Sequence, residues 1–225
     1  MARPSHKNRK VKNKKINKVD TIQAYPLSSA NHSIVIVKSL LGAALSIMDI
    51  KKIPIGKNPP DEVNVIIEIP QGGNPIKYEF DKESGAIFVD RFLHTSMIYP
   101  SNYGFIPHTL SADGDPVDAL VVCQMPVVPG AVIRSRPIGA LLMEDEAGGD
   151  EKILMVPVDK LHPFYSKVQS YKDLPQSLIE QIAHFFQHYK DLEKGKWVKI
   201  VQWVGPEEAK ALITKGIADA AAAKK

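Results

Sequence analysis

The order of apolar segments along residues 48–225 constrains the fold of this chain more than any other feature. Seven short stretches read as strands separated by turns rich in Gly and Pro, at 63–69, 76–80, 86–92, 117–123, 132–143, 152–156 and 197–203. Helical periodicity is confined to 175–192 and 206–223. Short strands at this spacing are typical of a small barrel or strongly curved sheet. Because the helices come late rather than alternating with the strands, the pattern predicts an α+β fold.

The first 47 residues differ in composition from the rest. They hold nine Lys or Arg and one acidic residue, Asp20, out of 29 basic and 25 acidic residues in the whole chain. That leaves 20 basic and 24 acidic residues in 48–225, a formal net charge of −4, although the whole chain carries +4. The body is therefore mildly acidic, which argues against a nucleic-acid partner. No run approaches the ~18 apolar residues of a membrane span.

Three interpretations of residues 1–47 are open. The basic run at 7–18 is predicted to be disordered, and the apolar stretch at 34–47 is interrupted by Lys38. The segment could be a targeting sequence, a basic tail for nucleic acid or membrane, or an overextended reading frame before a natural start at Met48. We favour the third interpretation, with 48–225 as one catalytic domain. The single Cys123 excludes an internal disulfide and indicates a reducing, cytoplasmic setting.

The segment DGDPVD gathers Asp113, Asp115 and Asp118 within six residues. Gly114 permits backbone angles that other residues avoid and Pro116 fixes φ, so the carboxylates can converge on a rigid turn. Magnesium and other hard cations bind such oxygen ligands. A solvated acidic turn is the plain alternative for this segment taken alone.

Two other uses of the segment fit less well. An EF-hand calcium loop starting at Asp113 would need Gly at position 118 and Glu at position 124, where the chain has Asp118 and Gln124. An aspartyl-phosphate phosphatase has an Asp-x-Asp-x-Thr/Val loop, which Asp113, Asp115 and Val117 satisfy. Such a loop follows a buried strand of a doubly wound sheet, and residues 108–112 are not a convincing buried strand.

A second acidic group lies at Glu144, Asp145, Glu146 and Asp150, next to the turn Gly148-Gly149. Other charged or hydroxyl residues fall in or beside predicted strands: Glu68, Lys77, Glu79, Arg91, Tyr99, Tyr103 and Lys152. Two Asp-rich loops with several Lys, Arg and Tyr residues are what metal-assisted phosphoryl chemistry needs.

Seven ordered segments resemble the soluble family I inorganic pyrophosphatases of bacterial type. They are IEIP at 67–70, PIKYEFDKESG at 75–85, DRF at 90–92, YPSNYGFIPHTL at 99–110, DGDPVDALVV at 113–122, DEAGGDEK at 145–152 and HFFQHYKDLEKGKWVK at 184–199. The resemblance covers about Met48 to the C-terminal helix. It implies a five-stranded, OB-like β-barrel with two C-terminal α-helices, and hydrolysis of pyrophosphate to two orthophosphates with Mg²⁺ as cofactor.

The resemblance also implies a role for each matching residue. The magnesium ligands are expected at Asp113, Asp118, Asp145 and Asp150, with Glu68 and Glu79 lining the metal site. Asp115 is expected to be the general base, and Tyr103 to donate to a phosphate or orient that base. The residues expected to hold substrate or leaving phosphate are Lys77, Glu79, Arg91, Lys152, Tyr189 and Lys190. Tyr99 is expected to play a more indirect part.

The resemblance further implies a homohexamer. In the predicted helix at 175–192, Leu178, Ile182, Phe185 and Tyr189 form an apolar stripe expected to face the barrel. His184 and His188 lie on another face, which is expected at a subunit contact. An OB-fold nucleic-acid-binding module with a basic tail is the alternative from another class, and its marker would be a basic face with exposed aromatics.

Overall fold

The computed structural model describes residues 49–223, so our interpretations of residues 1–47 lie outside it. These residues form eight strands and two α-helices. The strands are β1 (Val63–Ile69), β2 (Ile76–Phe80), β3 (Ile87–Phe92), β4 (Asn102–Phe105), β5 (Asp118–Val121), β6 (Val132–Asp145), β7 (Gly148–Pro157) and β8 (Val198–Val204). The helices are α1 (Gln176–His188) and α2 (Pro206–Ala222). Among the described helices, none is long and apolar enough to cross a membrane.

Five strands close into a barrel, in agreement with the predicted OB-like α+β fold. The neighbours run in the order β1-β4-β5-β7-β6, and β6 pairs back with β1 to complete the ring. All of these pairs are antiparallel except β5 with β7. β8 extends the sheet from the long strand β6. Closure leaves no free edge between the five strands, which is how small all-strand bodies avoid edge-to-edge association.

The β2–β3 hairpin stands apart as a two-stranded sheet. One contact to the barrel is the edge-to-face pair of Phe80 and Phe105, whose ring centroids are 6.4 Å apart. Several side chains on β3 are solvent-exposed, among them Phe88 and Phe92. The hairpin therefore lies over the barrel wall as an attached flap rather than as part of the closed sheet.

Each helix covers one core cluster. α1 packs Ile182, Phe185 and Phe186 against barrel residues such as Leu141 and Leu154. α2 packs Ala209 and Ile213 against a second cluster that includes Val65, Ile67 and Val117, and the thiol of Cys123 is buried in this cluster. Fully burying side chains of this size stabilises a fold by ~1.5–3 kcal/mol each.

The structure corrects three expectations about elements. β4 was not predicted, because NYGF follows Pro100 and contains a glycine. Gly104 is needed there, since a Cβ would lie 1.9 Å from the carbonyl oxygen of Ile66. α1 ends at His188 rather than at 192. Its buried stripe includes Ile179 and Phe186, whereas Leu178 is only partly buried.

Candidate active site

A polar pocket of about 150 Å³ opens between the barrel and the β2–β3 hairpin. Twelve of the thirteen residues predicted for the site line it: Glu68, Lys77, Glu79, Tyr103, Asp113, Asp115, Asp118, Asp145, Asp150, Lys152, Tyr189 and Lys190. They come from β1, β2, β4, the turn before β5 and its first residue, the β6–β7 hairpin and the residues that follow α1, which are far apart in sequence. Folding the barrel therefore brings both Asp-rich segments to one point.

The DGDPVD segment is a tight turn that leads into β5. Gly114 has φ of +92°, in the left-handed region that glycine adopts without strain. The Asp113 carboxylate accepts a hydrogen bond from the backbone N–H of Asp115 at 3.0 Å, and the Asp115 carbonyl accepts one from Ser111 at 2.7 Å. Asp118 begins β5. These contacts hold Asp113 and Asp115 at the mouth and Asp118 deeper in the pocket.

Lys152 joins the two acidic segments at the floor of the pocket. Its ammonium lies 2.5 Å from Asp118 and 2.7 Å from Asp150, and the residue is only 5% exposed. Burial by itself would lower the pKa of Lys152, but the two carboxylates outweigh burial and raise it. Burial raises the pKa of Asp150, and Lys152 only partly offsets this. The floor is thus a charged triad that carries one net negative charge.

A second lysine holds the β6–β7 turn. The Lys190 ammonium lies 2.8 Å from Asp145. Partial burial would raise the pKa of Asp145, but the bonds from Lys190 and from the backbone N–H of Ala147 lower it overall. Asp145 is therefore a carboxylate fixed in place, and Lys190 is a cation fixed beside it.

Glu68 is a buried acid inside the barrel strand β1. It is 6% exposed, and its Oε1 accepts a hydrogen bond from the backbone N–H of Phe80 at 2.9 Å. Burial raises its pKa to about 8, with repulsion from Asp118 adding to the effect. The same carboxyl group ties the hairpin to the barrel and faces the pocket.

The tyrosines of the site are buried phenols. Burial raises the pKa of Tyr103 well above its usual value, and the negative charge of nearby Asp118 raises it further. Burial also raises the pKa of Tyr189 and of Tyr99. Tyr103 therefore stays protonated and keeps its hydroxyl as a donor inside the pocket. The expectation that it donates to a phosphate or orients Asp115 stays a prediction.

Arg91 is predicted to bind substrate or leaving phosphate but does not line the pocket, and neither does Tyr99, for which a more indirect part is expected. The Arg91 guanidinium contacts Asp90 and Glu193, each at 3.0 Å. Asp90 also accepts from Lys77 at 3.0 Å, so a chain of ion pairs links Arg91 to a pocket lysine. The Asp90 bond to Lys77 outweighs burial and raises the pKa of Lys77.

Sequence reasoning missed Lys82, which lines the pocket from the tip of the hairpin. Its ammonium lies 2.6 Å from Asp115, the expected base. The residue lies in the turn DKESG, where a lysine ordinarily makes no ion pair. Its place opposite Asp115 depends on how the hairpin folds over the barrel, and nothing in the sequence around position 82 indicates that.

The donor set of the pocket suits divalent metal ions. Seven carboxylates line it against four lysines, an excess of three formal negative charges in a confined space. As placed, no three carboxylate, imidazole or thiol groups of residues 49–223 converge on a single point, because lysine ammonium groups lie between the aspartates. Lys152 bridges Asp118 and Asp150 in the way a bridging cation would. Oxygen-rich sites of this kind are typical of hard cations.

Comparison with known proteins identifies the family. A sequence model of the family described as inorganic pyrophosphatase matches residues 65–221. The inorganic pyrophosphatase of Caulobacter vibrioides is 68% identical over 170 residues, which are 76% of this chain and 96% of that protein. Solved inorganic pyrophosphatases from Coxiella burnetii and Thermus thermophilus are 51% and 42% identical, with TM-scores of 0.72 and 0.73. They cover 74% and 77% of this chain and 98% and 99% of their own chains.

The matched region contains the closed barrel, both Asp-rich segments and the lysines between them. Members of this family depend on metal ions, which agrees with the excess of carboxylates in the pocket. The chain therefore belongs to the soluble family I inorganic pyrophosphatases of bacterial type, hydrolases that split inorganic diphosphate into two orthophosphates.

Proposed function

We propose that this chain hydrolyses pyrophosphate with Mg²⁺ as its metal, and that the polar pocket between barrel and hairpin performs the reaction. The observation that carries the proposal is the convergence of seven carboxylates and four lysines on one pocket. Such a pocket can hold several divalent cations together with a polyanion, which neither an anion site nor a cation site alone can do.

In this proposal, Asp113, Asp118, Asp145 and Asp150 would hold magnesium. Glu68 and Glu79 complete the metal site, partly through water. Mg²⁺ bound there would offset the charge of pyrophosphate and lower the pKa of the attacking water. The lysines that pair with these aspartates then become free to bind phosphate oxygens, because a divalent cation is the stronger partner for a carboxylate.

The phosphate groups would be bound by Lys77, Lys152, Lys190 and Tyr189, which line the pocket. Arg91 would reach a phosphate after exchanging its contact with Glu193 for one with substrate. These cations stabilise the charge that builds on the leaving phosphate as the P–O bond to the bridging oxygen breaks.

Asp115 would act as the general base. It takes a proton from water while the water oxygen forms a bond to one phosphorus and the bridging oxygen leaves with the other. Its position supports this role, because Asp115 lies at the mouth with its side chain 58% exposed, whereas Asp118 is held on Lys152. Tyr103, which lines the same pocket, would donate to a phosphate or orient Asp115.

We further propose that the enzyme is a cytoplasmic homohexamer and that residues 48–225 suffice for activity. The second point is supported by relatives that align over 96–99% of their own length with 170–178 residues of this chain. Nucleic acid and membrane are not among the proposed partners.

Phosphate release from pyrophosphate tests the proposed function. The full chain and residues 48–225 should both release two phosphates per substrate with magnesium, and neither should do so in excess chelator. A sugar phosphate in place of pyrophosphate separates this activity from that of a phosphomonoesterase. Release from the sugar phosphate alone would contradict the proposal, and an inactive but folded 48–225 fragment would contradict its sufficiency.

A further inference from the structure

A second cavity, of about 430 Å³, lies beside the DGDPVD segment at 113–118, which we call the catalytic loop. We call this cavity the loop cavity, to distinguish it from the polar pocket. Its walls come from the turn at Ile50–Lys52, the loop 105–116 and the end of α2. Gly114 and Pro116 line it, and these two residues alternate with Asp113 and Asp115 in the sequence. The cavity therefore borders the segment that carries the catalytic carboxylates.

The walls of this loop cavity are held in place by hydrogen bonds. The ring Nε2 of His108 bonds the carbonyl oxygen of Ile53 at 2.9 Å, and His108 has φ of 60°. The backbone N–H of Leu110 donates to the carbonyl of Gly216 in α2 at 2.9 Å. The Thr109 hydroxyl donates to Ile106 and accepts from Val117. The cavity is thus formed in advance, as small-molecule sites usually are.

The lining of the loop cavity is apolar and positively charged. Side chains such as Ile50, Phe105 and Leu110 form the body, and Lys51 and Lys82 supply two cations. None of the described residues that line it is acidic. A volume within the 300–1,000 Å³ typical of ligand sites, apolar walls and lysines at the rim complement a ligand with an apolar body and one negative charge.

We propose that the loop cavity binds a small amphipathic anion, an aliphatic or aromatic carboxylate whose apolar part fills the cavity and whose carboxylate contacts Lys51 and Lys82. Lys82 couples this site to the polar pocket, because its ammonium also lies 2.6 Å from Asp115. The ligand and Asp115 compete for one ammonium group. The consequence for hydrolysis rests on the proposed role of Asp115, whereas the binding itself does not.

Binding is tested on the full chain with the fluorescent anion 1-anilinonaphthalene-8-sulfonate and with octanoate as its competitor. Octanoate should displace the probe, and uncharged 1-octanol should do so less well. Lys51→Ala should weaken octanoate binding by about threefold, as expected for an exposed charge contact. Lys52→Ala is the matched control, since Lys52 is the next residue but pairs with Asp49 and does not line the cavity. Equal effects of the two substitutions would overturn the proposal.

Two further variants separate the cavity from other apolar surface. Ala220→Leu should fill the cavity and abolish displaceable probe binding. Ala223→Leu, at an exposed lining position, should weaken probe binding. This second variant provides the test if Ala220→Leu folds poorly. Undiminished displacement in both variants, checked for folding by circular dichroism, would place the ligand elsewhere and overturn the proposal.

Competition for Lys82 is tested by Asp115→Asn, which should tighten octanoate binding by about two- to threefold because Lys82 loses its carboxylate partner. Asp61→Asn is the control. The Asp61 carboxylate lies 2.9 Å from the ammonium of Lys210, and neither residue lines the cavity. These readouts involve no hydrolysis, so failure of the proposed reaction leaves them interpretable. Unchanged binding in Asp115→Asn would overturn the coupling.

Discussion

Asp115 and Asp118 stand three residues apart in different surroundings, and this difference separates their chemistry. The Asp115 side chain is 58% exposed and meets the exposed ammonium of Lys82. The Asp118 side chain is 23% exposed and is held by Lys152. An accessible carboxylate with one exchangeable partner suits proton transfer, whereas a fixed carboxylate suits metal coordination.

Substitution of the two aspartates should separate these roles. Asp115→Asn should lower kcat by ~10²–10⁴-fold, as loss of a positioned base does, because an amide cannot take the proton. It should leave most of the magnesium affinity intact. Asp118→Asn should instead weaken magnesium binding measurably. Titration calorimetry with Mg²⁺ beside steady-state kinetics provides both numbers, and equal losses of magnesium affinity would show that the division of roles is wrong.

Glu68 makes the metal-free protein sensitive to pH. Its pKa is about 8 in the fold, raised from 4.5 mainly by burial. Between these values the folded state keeps a proton that the unfolded state has released, so the free energy of unfolding falls as pH rises through this window. At ~1.4 kcal/mol per pH unit, the shift sets a ceiling of about 5 kcal/mol, and relaxation of the site will reduce it.

Glu68→Gln should remove that pH dependence while still accepting the hydrogen bond from the N–H of Phe80. In chelator, wild-type protein should lose stability to urea between pH 5 and pH 8.5, and the variant should lose clearly less. Glu180→Gln, at an exposed position on α1, is the control. Parallel stability curves for wild type and Glu68→Gln would contradict the buried-acid interpretation.

At the scale of elements, the β2–β3 hairpin matters most, because it delivers Lys77, Glu79 and Lys82 to the pocket. Three polar contacts secure it: Glu68 to the Phe80 N–H, Lys82 to Asp115, and Arg91 to Glu193. Two of these contacts involve groups proposed to bind metal or take up a proton. Entry of metal and substrate should therefore change how firmly the hairpin is held.

Substitution of Arg91 tests whether the hairpin contributes to substrate binding, and substitution of Arg136 in β6 is its control. Arg91 contacts only carboxylates in the described part of the chain, so it can exchange one for a phosphate. Arg136 instead donates to the backbone carbonyls of Val168 and Tyr165 at 2.6 and 2.7 Å. Arg91→Ala should lower kcat/KM by about tenfold or more, the value of a charged hydrogen bond.

Arg136→Ala should do the opposite. Two partly buried carbonyls would lose their donor, which costs about 1–3 kcal/mol of stability, while KM should stay near that of wild type. Steady-state kinetics and urea unfolding on both variants give the four values needed. A normal KM for Arg91→Ala would remove Arg91 from the substrate-binding set.

The elements could be predicted from sequence where local chemistry decides them. β1 and β2 have the predicted bounds, because alternating or continuous apolar residues end at turns rich in Gly and Pro. β4 could not be predicted, since it exists only through pairing with β1 and β5 on either side. The requirement for Gly104 arises from the approach of Ile66, a residue far away in sequence.

At the scale of the whole molecule, closure of the barrel through β1 and β6 decides what the site contains. Strand order is a long-range property, so periodicity alone predicted a barrel or curved sheet without its pairings. Twelve of the residues that line the polar pocket were predictable through seven ordered motifs that resemble one family. Lys82 and the ion-pair chain through Asp90 and Glu193 were not, because their contacts join the hairpin tip, the catalytic loop and the end of α1.

The proposed hexamer depends on the exposed face of α1. His184 and His188 lie one turn apart on the side away from the buried stripe, with ring centroids 4.6 Å apart. The Nδ1 of His188 contacts the Asp191 carboxylate at 2.8 Å. Neighbouring groups include Glu180 and Gln181, which share a surface hollow with His184. In the proposed hexamer, this polar face packs against a second copy.

Mild acidification should break such a contact. Histidine is the side chain that gains charge on mild acidification, and like charges gathered at a shared face repel. We predict a hexamer at pH 7.5 that dissociates toward trimers or smaller species at pH 5. In His184→Gln/His188→Gln the mass should no longer change between these pH values, whereas His162→Gln, which stacks on Phe164 elsewhere, should behave as wild type. Light scattering measures the mass directly. A monomer at pH 7.5, or equal dissociation of wild type and the double variant at pH 5, would rule out the histidines as the pH-sensitive contact.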